Sequence, residues 1–265
     1  APIAANACTS FLLKGSDGGY AYGRTMEFGL PLASQLTTIP RGYALKGIGV
    51  GGKYGSGLNW NAKYAVAGMN ALGLPEYVDG MNEKGLIGGL LNFPNSASFQ
   101  AVTAANSSES INSVQVLTYV LTNFATVEEI KAGLQKIKVN GAQLPVYGNR
   151  TPPVHYTFHD SNGKSIVVEY MKGQLTITDN PVTVLTNDPP FQDHLNNIGN
   201  YSNLSKVEKP PLVINGATFA APSSGNGLHG LPGDFLSPSR FIRAVFLSSS
   251  VPTSFTTAQA AAAAW

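Results

Sequence analysis

Two strand-like runs at the start of the chain, separated by a glycine-rich turn, are the feature that most constrains the fold. From Cys8 the chain reads CTSFLLK, then GSDGG, then YAYGRTMEF. An Asp-Gly pair between two such runs predicts a β-hairpin. If the turn centres near Asp17 and Gly18, cross-strand partners have numbers that sum to about 35. The hairpin therefore predicts that Cys8 faces the neighbourhood of Met26 and Glu27.

Cys8 is the single cysteine of the chain and directly follows Ala5-Asn6-Ala7. These small residues satisfy a signal peptidase site, although the charged and apolar parts of a signal peptide are missing. A short propeptide that the protein removes itself is the alternative. Either cut would give Cys8 both a thiol and an α-amino group with a pKa of about 8. Nucleophile and base would then come from one residue, whereas a lone cysteine is otherwise most often a small buried apolar residue.

Two charged residues of the second run are candidate partners of this thiol. A guanidinium at Arg24, one strand step from the predicted partners of Cys8, favours the reactive thiolate. The Glu27 carboxylate is suited to hold the α-ammonium group or to orient Arg24. An exposed ion pair at a strand edge, which contributes little stability, is the alternative for both residues. Their placement opposite the single cysteine favours the catalytic interpretation.

Five ordered blocks of the sequence resemble the choloylglycine hydrolase family, which includes bile salt hydrolases and penicillin V acylases. The blocks are CTSF with the following DG and GRTMEFG, DGMNEKGL, LNFP, LTNDP, and GLPGDF with the following SRF. They span essentially the whole chain. The resemblance implies an N-terminal nucleophile hydrolase with an α+β fold, a four-layer αββα sandwich. It also implies an amidase that hydrolyses a linear amide C–N bond with the Cys8 thiolate.

The resemblance implies further catalytic residues. Asn92 and Asn187 match the family's active-site asparagines, and an amide donates hydrogen bonds to an oxyanion without titrating; without the family, both would be ordinary loop residues. Arg240 matches an active-site arginine, for active-site charge or a substrate carboxylate, and a surface position on a helix is its alternative. Arg24 is assigned to thiolate stabilisation. Glu27, where the family usually has aspartate, is assigned to orienting the amine.

The acyl group of the substrate is expected to be bulky and apolar. The predicted substrate-binding residues are Met26, Phe28 and Leu72, and further apolar candidates are Leu30, Ala71 and Leu74, with core packing as the alternative for each. Relatives that act on bile salts tend to have asparagine at the position of Asn92, where penicillin V acylases can carry tyrosine. Conjugated bile salts are therefore the predicted substrates. Penicillin V and N-acyl homoserine lactones are the alternatives.

Two other classes of function stay open. A papain-like Cys-His enzyme would need His194 or His229 beside Cys8 in space. A catalytically inactive binding module would result if the bond before Cys8 is never cleaved. His155 and His159 lie in a predicted strand, about 13 Å apart, and so do not form a zinc site. We expect no metal and no organic cofactor.

Composition limits the partners and the location. The net charge of +2 and the 12% of charged residues provide no basic stripe for nucleic acid, and no apolar run reaches the length of a membrane span. We expect a small-molecule amide substrate, a homo-oligomer (dimer or tetramer) and a periplasmic or secreted bacterial protein. Residues 1–7 form the signal remnant or propeptide. We expect residues 8–265 to form one hydrolase domain, and the resemblance to relatives that continue into further strands implies that C-terminal strands are missing from it.

The middle of the chain predicts two helices between groups of strands. Apolar residues at helical spacing over 114–124 predict the first, and a capping box of Thr126 and Glu129 predicts the start of the second. A meander of three strands over 154–178 follows. Before the helices, Asp79-Gly80 and Glu83-Lys84-Gly85 are predicted turns, ahead of a strand over 86–91.

Overall fold

The computed structural model describes residues 7–29, 31–252 and 254–259. Sixteen strands and four α-helices have both of their ends within these residues. The strands are β1 (Ala7–Lys14), β2 (Tyr20–Glu27), β3 (Leu36–Ile39), β4 (Ala44–Leu45), β5 (Trp60–Asn61), β6 (Val66–Asn70), β7 (Tyr77–Asn82), β8 (Ile87–Asn92), β9 (Ser110–Asn112), β10 (Lys138–Asn140), β11 (Val154–His159), β12 (Ser165–Met171), β13 (Gln174–Asp179), β14 (Val184–Leu185), β15 (Leu212–Ile214) and β16 (Ala217–Phe219). The helices are α1 (Val116–Asn123), α2 (Val127–Leu134), α3 (Phe191–Ile198) and α4 (Ser237–Ser250).

Two antiparallel sheets form the centre of the fold. One has seven strands in the order β13-β12-β11-β8-β7-β6-β3, and the other has three in the order β14-β1-β2. Helix α1 packs on β7 and β8 of the larger sheet, whereas α4 packs on β1 and β14 of the smaller one, and β1 contacts β8 between the sheets. This order of layers is the predicted αββα sandwich.

Two apolar cores hold the layers together. The first lies between the seven-stranded sheet and helices α1 and α2, where Leu117, Leu121 and Ile130 pack against residues such as Tyr156. The second joins the inner face of β8 and β12 to β14 and to helices α3 and α4, and it includes Cys8. Strands β11 and β12 are buried along almost their whole length because layers cover both of their faces. The thiol-bearing strand is thus fixed inside the sandwich.

The predicted hairpin is confirmed. Strands β1 and β2 pair along their whole length, with Cys8 opposite Met26 and Ala7 opposite Glu27, so the numbers of partners sum to 34. Gly18 has a φ of +81° in the turn, a conformation that glycine adopts without the steric cost that a Cβ brings. The alternation of buried and accessible residues in β1 places Cys8 on the face directed into the sandwich.

The predicted helices and the meander are also confirmed. The side chain of Thr126 caps α2 by accepting a hydrogen bond from the Glu129 amide at 3.2 Å, and the Glu129 carboxylate accepts one from the Ala125 amide at 2.8 Å. The prediction of a turn at Asp79-Gly80 was wrong. Gly80 lies in the middle of β7, paired with Gly68 and Gly88, and a Cβ there would come 3.0 Å from the Leu121 side chain of α1. The Asp-Gly pair reflects helix packing rather than a turn.

Some expectations concern residues outside the described ranges. These are the removable segment, of which residues 1–6 are not described, the apolar candidate Leu30, and residues 260–265 at the alanine-rich end. The single domain over 8–265 stays a prediction. No helix in the described part of the chain combines the length and the apolar character needed to cross a bilayer.

His159 makes the stability of this fold depend on pH. Its side chain is buried next to Thr157 and Ser165, and burial lowers the pKa of His159 to about 3. Between pH 6.5 and pH 3 the unfolded chain binds a proton at this residue that the folded chain does not, so stability falls as the pH falls. We expect His159 to account for a loss of about 2 kcal/mol between pH 7 and pH 5.

Urea unfolding at both pH values checks this expectation, with wild type compared against His159→Asn. The variant should show a smaller loss on acidification than wild type. The exposed His229 offers a matched control, since His229→Asn should keep the pH dependence of wild type. Equal losses in wild type and His159→Asn would contradict the assignment.

Candidate active site

The hairpin brings the Cys8 thiol and the Arg24 guanidinium together. Cys8 is 3% exposed and pairs with Met26, and Arg24 lies two residues before Met26 on the same face of β2. The Nη2 atom of Arg24 is 3.6 Å from the Cys8 Sγ atom. A fixed positive charge at this distance is placed to interact with the sulfur of Cys8.

Arg24 is held rigidly by the seven-stranded sheet. Its Nη1 atom donates to Asp79 Oδ2 at 2.6 Å and to the Val78 carbonyl at 2.9 Å, and Nη2 donates to the Leu90 carbonyl at 2.5 Å. Burial opposes the charge of this side chain, but the Asp79 carboxylate more than offsets it, and the pKa of Arg24 lies above its ordinary value. Arg24 therefore stays charged and cannot swing away from the thiol.

The main chain of Cys8 is fixed by Asn187 and Arg240. Asn187 Oδ1 accepts a hydrogen bond from the Cys8 amide nitrogen at 2.8 Å. Arg240 Nη1 donates to the Cys8 carbonyl at 2.5 Å and to Thr9 Oγ1 at 2.8 Å, while its Nη2 donates to Asn187 Oδ1 at 2.8 Å. Burial lowers the pKa of Arg240, and the Glu27 and Cys8 groups oppose this effect.

Asn187 is itself held by the residues around it. Its amide nitrogen donates to Ser237 Oγ at 2.9 Å, and its carbonyl accepts from His194 Nε2 at 2.8 Å. Its side-chain Nδ2 donates to the Asn92 carbonyl at 2.7 Å. The Asn187 oxygen that meets Cys8 therefore has a defined position, and it would accept a hydrogen bond equally well from a free α-amine.

An apolar cleft opens at the thiol. The space between its walls is about 700 Å³, a figure that includes open solvent at its mouth. The predicted substrate-binding residues Met26, Phe28 and Leu72 all line it, as do Ala71 and Leu74. Its wall also contains Cys8, Arg24, Asn92, Glu76, Tyr147 and Val154, among others.

Asn92 is placed differently from Asn187. It ends β8 opposite Val154, lines the cleft, and its side chain forms no hydrogen bond with any described residue, although its carbonyl accepts one from Asn187. Its amide is therefore available to a group in the cleft. The Asn187 amide, in contrast, lies outside the lining of the cleft and is engaged by Cys8, Arg240 and Asn92.

The structure does not bring Glu27 to the thiol. Because Cys8 pairs with Met26, the next residue faces the opposite side of the strand, and Glu27 is exposed there opposite Ala7. Its electrostatic partner is Arg240. Asn187, rather than Glu27, contacts the Cys8 nitrogen. The prediction that Arg240 binds a substrate carboxylate meets a similar difficulty, since its guanidinium is occupied by the main chain and lies outside the cleft lining.

The histidines considered for Cys-His chemistry lie elsewhere. His194 contacts Asn187 and stacks on Phe241, and His229 is exposed. His155 lies between Glu169 and the Thr186 carbonyl. In the described ranges no histidine contacts the thiol, and no group of three or more His, Cys, Asp or Glu side chains is arranged to hold a metal ion.

Asp79 and Glu76 are site residues that the sequence analysis missed. Asp79 belongs to the DGMNEKGL block, but its assignment to a turn concealed its role as the ion-pair partner of Arg24. Glu76 directly precedes β7 and has no motif of its own. Neither residue lies in or beside a predicted strand; in a chain with 12% charged residues, the carboxylate itself was the available signal for each.

Comparison with known proteins agrees with this geometry. Residues 8–264 match the model of the linear amide C–N hydrolases, choloylglycine hydrolase family. The chain belongs to that family. A bile salt hydrolase/transferase of Clostridium perfringens is 36% identical over 243 residues, which cover 91% of this chain and 71% of that protein.

Solved structures place this choloylglycine hydrolase family member among N-terminal nucleophile hydrolases. A variant of conjugated bile acid hydrolase from Clostridium perfringens superposes with a TM-score of 0.81 at 33% identity, covering 94% of this chain and 75% of that chain. Penicillin V acylase from Agrobacterium tumefaciens superposes with a TM-score of 0.75 at 26% identity, covering 96% and 69%. The predicted family, fold and linear amide C–N hydrolase activity are confirmed.

Proposed function

We propose that Cys8 is the nucleophile of this amide hydrolase and that it acts as the first residue of the processed chain. The single observation that carries the proposal is the placement of its sulfur at an apolar cleft, 3.6 Å from Arg24, while its nitrogen meets Asn187 Oδ1. Removal of residues 1–7 converts that nitrogen from an amide into an amine. A base then lies beside the thiol, on the same residue.

The reaction follows from these positions. The α-amine takes the thiol proton, and the thiolate, stabilised by Arg24, attacks the amide carbonyl to form a tetrahedral oxyanion. When the C–N bond breaks, the α-ammonium group donates its proton to the leaving nitrogen, and a thioester remains on Cys8. Water then attacks the thioester, its proton passes to the α-amine, and the carboxylic acid leaves as the thiolate is restored. Asn187 orients the amine throughout by accepting one of its N–H groups.

Asn92 is proposed to donate a hydrogen bond to the oxyanion, because its amide lines the cleft without a partner in the described structure. We expect Asn92→Ala to lower kcat by about 10² to 10³-fold, the usual effect of removing one oxyanion donor, with a much smaller change in KM. Steady-state kinetics on processed protein measures both. Asn95→Ala, at an exposed position three residues along the chain, is the control and should keep wild-type kinetics. A change confined to KM would contradict the role.

Conjugated bile salts are the proposed substrates. Apolar walls suit a bulky apolar acyl group, and relatives named bile salt hydrolases are 31–36% identical over most of the chain. Penicillin V is the second candidate because penicillin V acylases are also similar. Comparison of kcat/KM for glycine- or taurine-conjugated bile salts, penicillin V and an N-acyl homoserine lactone decides between them. A clear preference for penicillin V, or no turnover of bile salts, would overturn the choice of substrate but not the amidase chemistry.

Export and assembly complete the proposal. Small residues before Cys8 support cleavage of residues 1–7, as a signal remnant or a propeptide, and a periplasmic or secreted location.

A homo-oligomer is supported by the exposed apolar hairpin of β15 and β16, in which Leu212, Val213, Ile214 and Phe219 are more than half exposed. Light scattering on processed protein would test the oligomeric state.

A further inference from the structure

The apolar cleft contains one charged residue that the proposed chemistry does not use. Of its described lining residues, Arg24 and Glu76 carry charged groups, and Arg24 serves the thiol. Glu76 is 6% exposed. A carboxyl group in an apolar wall is costly unless it has hydrogen-bond partners, so the groups around Glu76 determine what it can do there.

Two side chains outside the cleft lining hold the Glu76 carboxyl in place. Tyr54 donates its hydroxyl to Oε2 at 2.8 Å, and Gln115 Nε2 donates to Oε1 at 3.0 Å. Gln115 is anchored in turn by the Ile48 amide, which donates to its Oε1 at 2.6 Å, and by the Lys46 carbonyl, which accepts from its Nε2 at 3.1 Å. Each carboxyl oxygen has one donor and keeps the capacity to accept another.

Glu76 lies within reach of an acyl group that is being attacked at Cys8. The Val78 carbonyl holds Arg24 beside the thiol, and Glu76 is two residues earlier in the chain. Even a fully extended chain separates their Cα atoms by at most about 7 Å. Both Glu76 and Cys8 line the same cleft, so a bulky acyl group passes from one to the other.

We infer that Glu76 determines substrate specificity by accepting a hydrogen bond from a hydroxyl group on the acyl part of the substrate. This inference rests on the proposed function of the cleft as the acyl site. It gives the substrate class as amides of hydroxylated apolar acids, such as hydroxylated steroid acids, in preference to acids of the same skeleton without hydroxyl groups. A site that hydrogen-bonds a substrate hydroxyl discriminates strongly, because the analogue leaves a buried polar group unpaired.

A hydroxyl group fits this position better than a cationic group. Burial raises the pKa of Glu76, with the Tyr54 and Gln115 hydrogen bonds opposing it. An ammonium group on the substrate would require the ionised carboxylate that burial disfavours. A hydroxyl group finds an acceptor oxygen in either protonation state.

The test compares matched pairs of amides that differ only in hydroxyl groups. The first pair is the glycine conjugates of cholic acid and of cholanic acid, which is the same skeleton without hydroxyls. Further pairs are the amides of a hydroxylated and a plain fatty acid, and of hydroxyphenoxyacetic and phenoxyacetic acid. In the class that is hydrolysed best, we expect wild type to favour the hydroxylated member by about 10-fold or more in kcat/KM. Glu76→Leu should abolish most of this preference, measured as the ratio of kcat/KM for the two members of the pair.

Two further variants separate recognition from structure. Glu76→Gln keeps an acceptor oxygen and should retain the preference. Tyr54→Phe removes a hydrogen-bond partner of Glu76 that lies outside the cleft. It should change kcat/KM for both members of a pair by the same factor. If Glu76→Leu does not fold, wild type alone supplies the test. It should hydrolyse the hydroxylated amide with the higher kcat/KM. The free hydroxylated acid should also be a tighter competitive inhibitor than the plain acid.

The outcomes distinguish this inference from the choice of bile salts. Hydrolysis of the steroid pair without preference overturns the role of Glu76 and leaves bile salts as substrates. A hydroxyl preference in the fatty or phenoxyacetyl pair alone overturns bile salts and supports Glu76. Equal losses for both members in Glu76→Leu mean that Glu76 is merely structural, and no hydrolysis of any pair overturns both proposals.

Discussion

Cys8→Ala, in protein that begins at residue 8, is expected to lose at least about 10⁴-fold in kcat, because removal of a catalytic nucleophile abolishes covalent catalysis. The fold should persist, since the residue is held by its main chain through Asn187 and Arg240 and the lost sulfur leaves only a small cavity. Initial rates with the best substrate measure the loss. Circular dichroism and the thermal midpoint check the fold.

Two comparisons make the Cys8→Ala result specific. Cys8→Ser keeps a nucleophilic atom, but a hydroxyl group is far less nucleophilic at neutral pH and a large loss is expected there too. Ser10→Ala changes another small buried residue on the same face of β1 and should stay within about 5-fold of wild type, as expected for a residue that touches no reacting atom. Near-normal turnover by Cys8→Ala would remove this thiol from the mechanism.

Because the chain has a single cysteine, alkylation at one site should inactivate wild type completely.

Local sequence signals were sufficient for the hairpin and for the closeness of the Cys8 and Arg24 side chains. A turn fixes the register of the two strands that flank it, so residues 16 positions apart in sequence could be placed side by side. Met26, opposite Cys8 on β2, and Phe28, just after β2, were predicted from the same stretch and line the cleft.

Glu27 shows how sharply such a prediction depends on register. If the residue numbers of cross-strand partners sum to 35, Glu27 lies opposite Cys8. The observed sum is 34, which places Met26 there. Successive side chains of a strand point to opposite faces, so a shift of one residue moves the carboxylate to the far side of the sheet. The turn GSDGG contains several possible centres, and its sequence alone does not choose between them.

Contacts between distant parts of the chain were beyond local reasoning. Asn187 and Arg240 reach Cys8 across 179 and 232 residues, and no spacing or periodicity links them to it. The resemblance to a family supplied their positions but not their contacts, which are to the main chain of Cys8 rather than to the cleft. Glu76 had neither a motif nor a family role, and its burial depends on how the segment around Tyr54 folds against Gln115.

Protein that retains residues 1–7 is expected to be at least about 10³-fold less active than protein that begins at Cys8, since a general base contributes about 10² to 10⁴-fold. In the longer chain the Cys8 nitrogen is an amide whose single hydrogen already bonds to Asn187 Oδ1, and it has no basic lone pair to accept the thiol proton. Kinetics on two samples of defined mass measures the difference. One sample retains residues 1–7, and the other comes from cutting it before Cys8 with a site-specific protease.

The control for this experiment is the Cys8→Ala precursor, which also reveals the route of processing. If the protein cleaves itself through its thiol, this variant keeps residues 1–7, whereas a signal peptidase would still remove them. Cleavage before residue 8 should restore activity in wild type and should not do so in Cys8→Ala. This pattern would attribute the increase in activity to the freed amine beside the thiol. Because Arg24 and Asn92 are positioned before cleavage, the longer chain should still bind substrate and lose rate mainly through kcat. Equal turnover by a sample shown by mass to retain residues 1–7 would contradict the α-amino mechanism, and the base would then have to be another group.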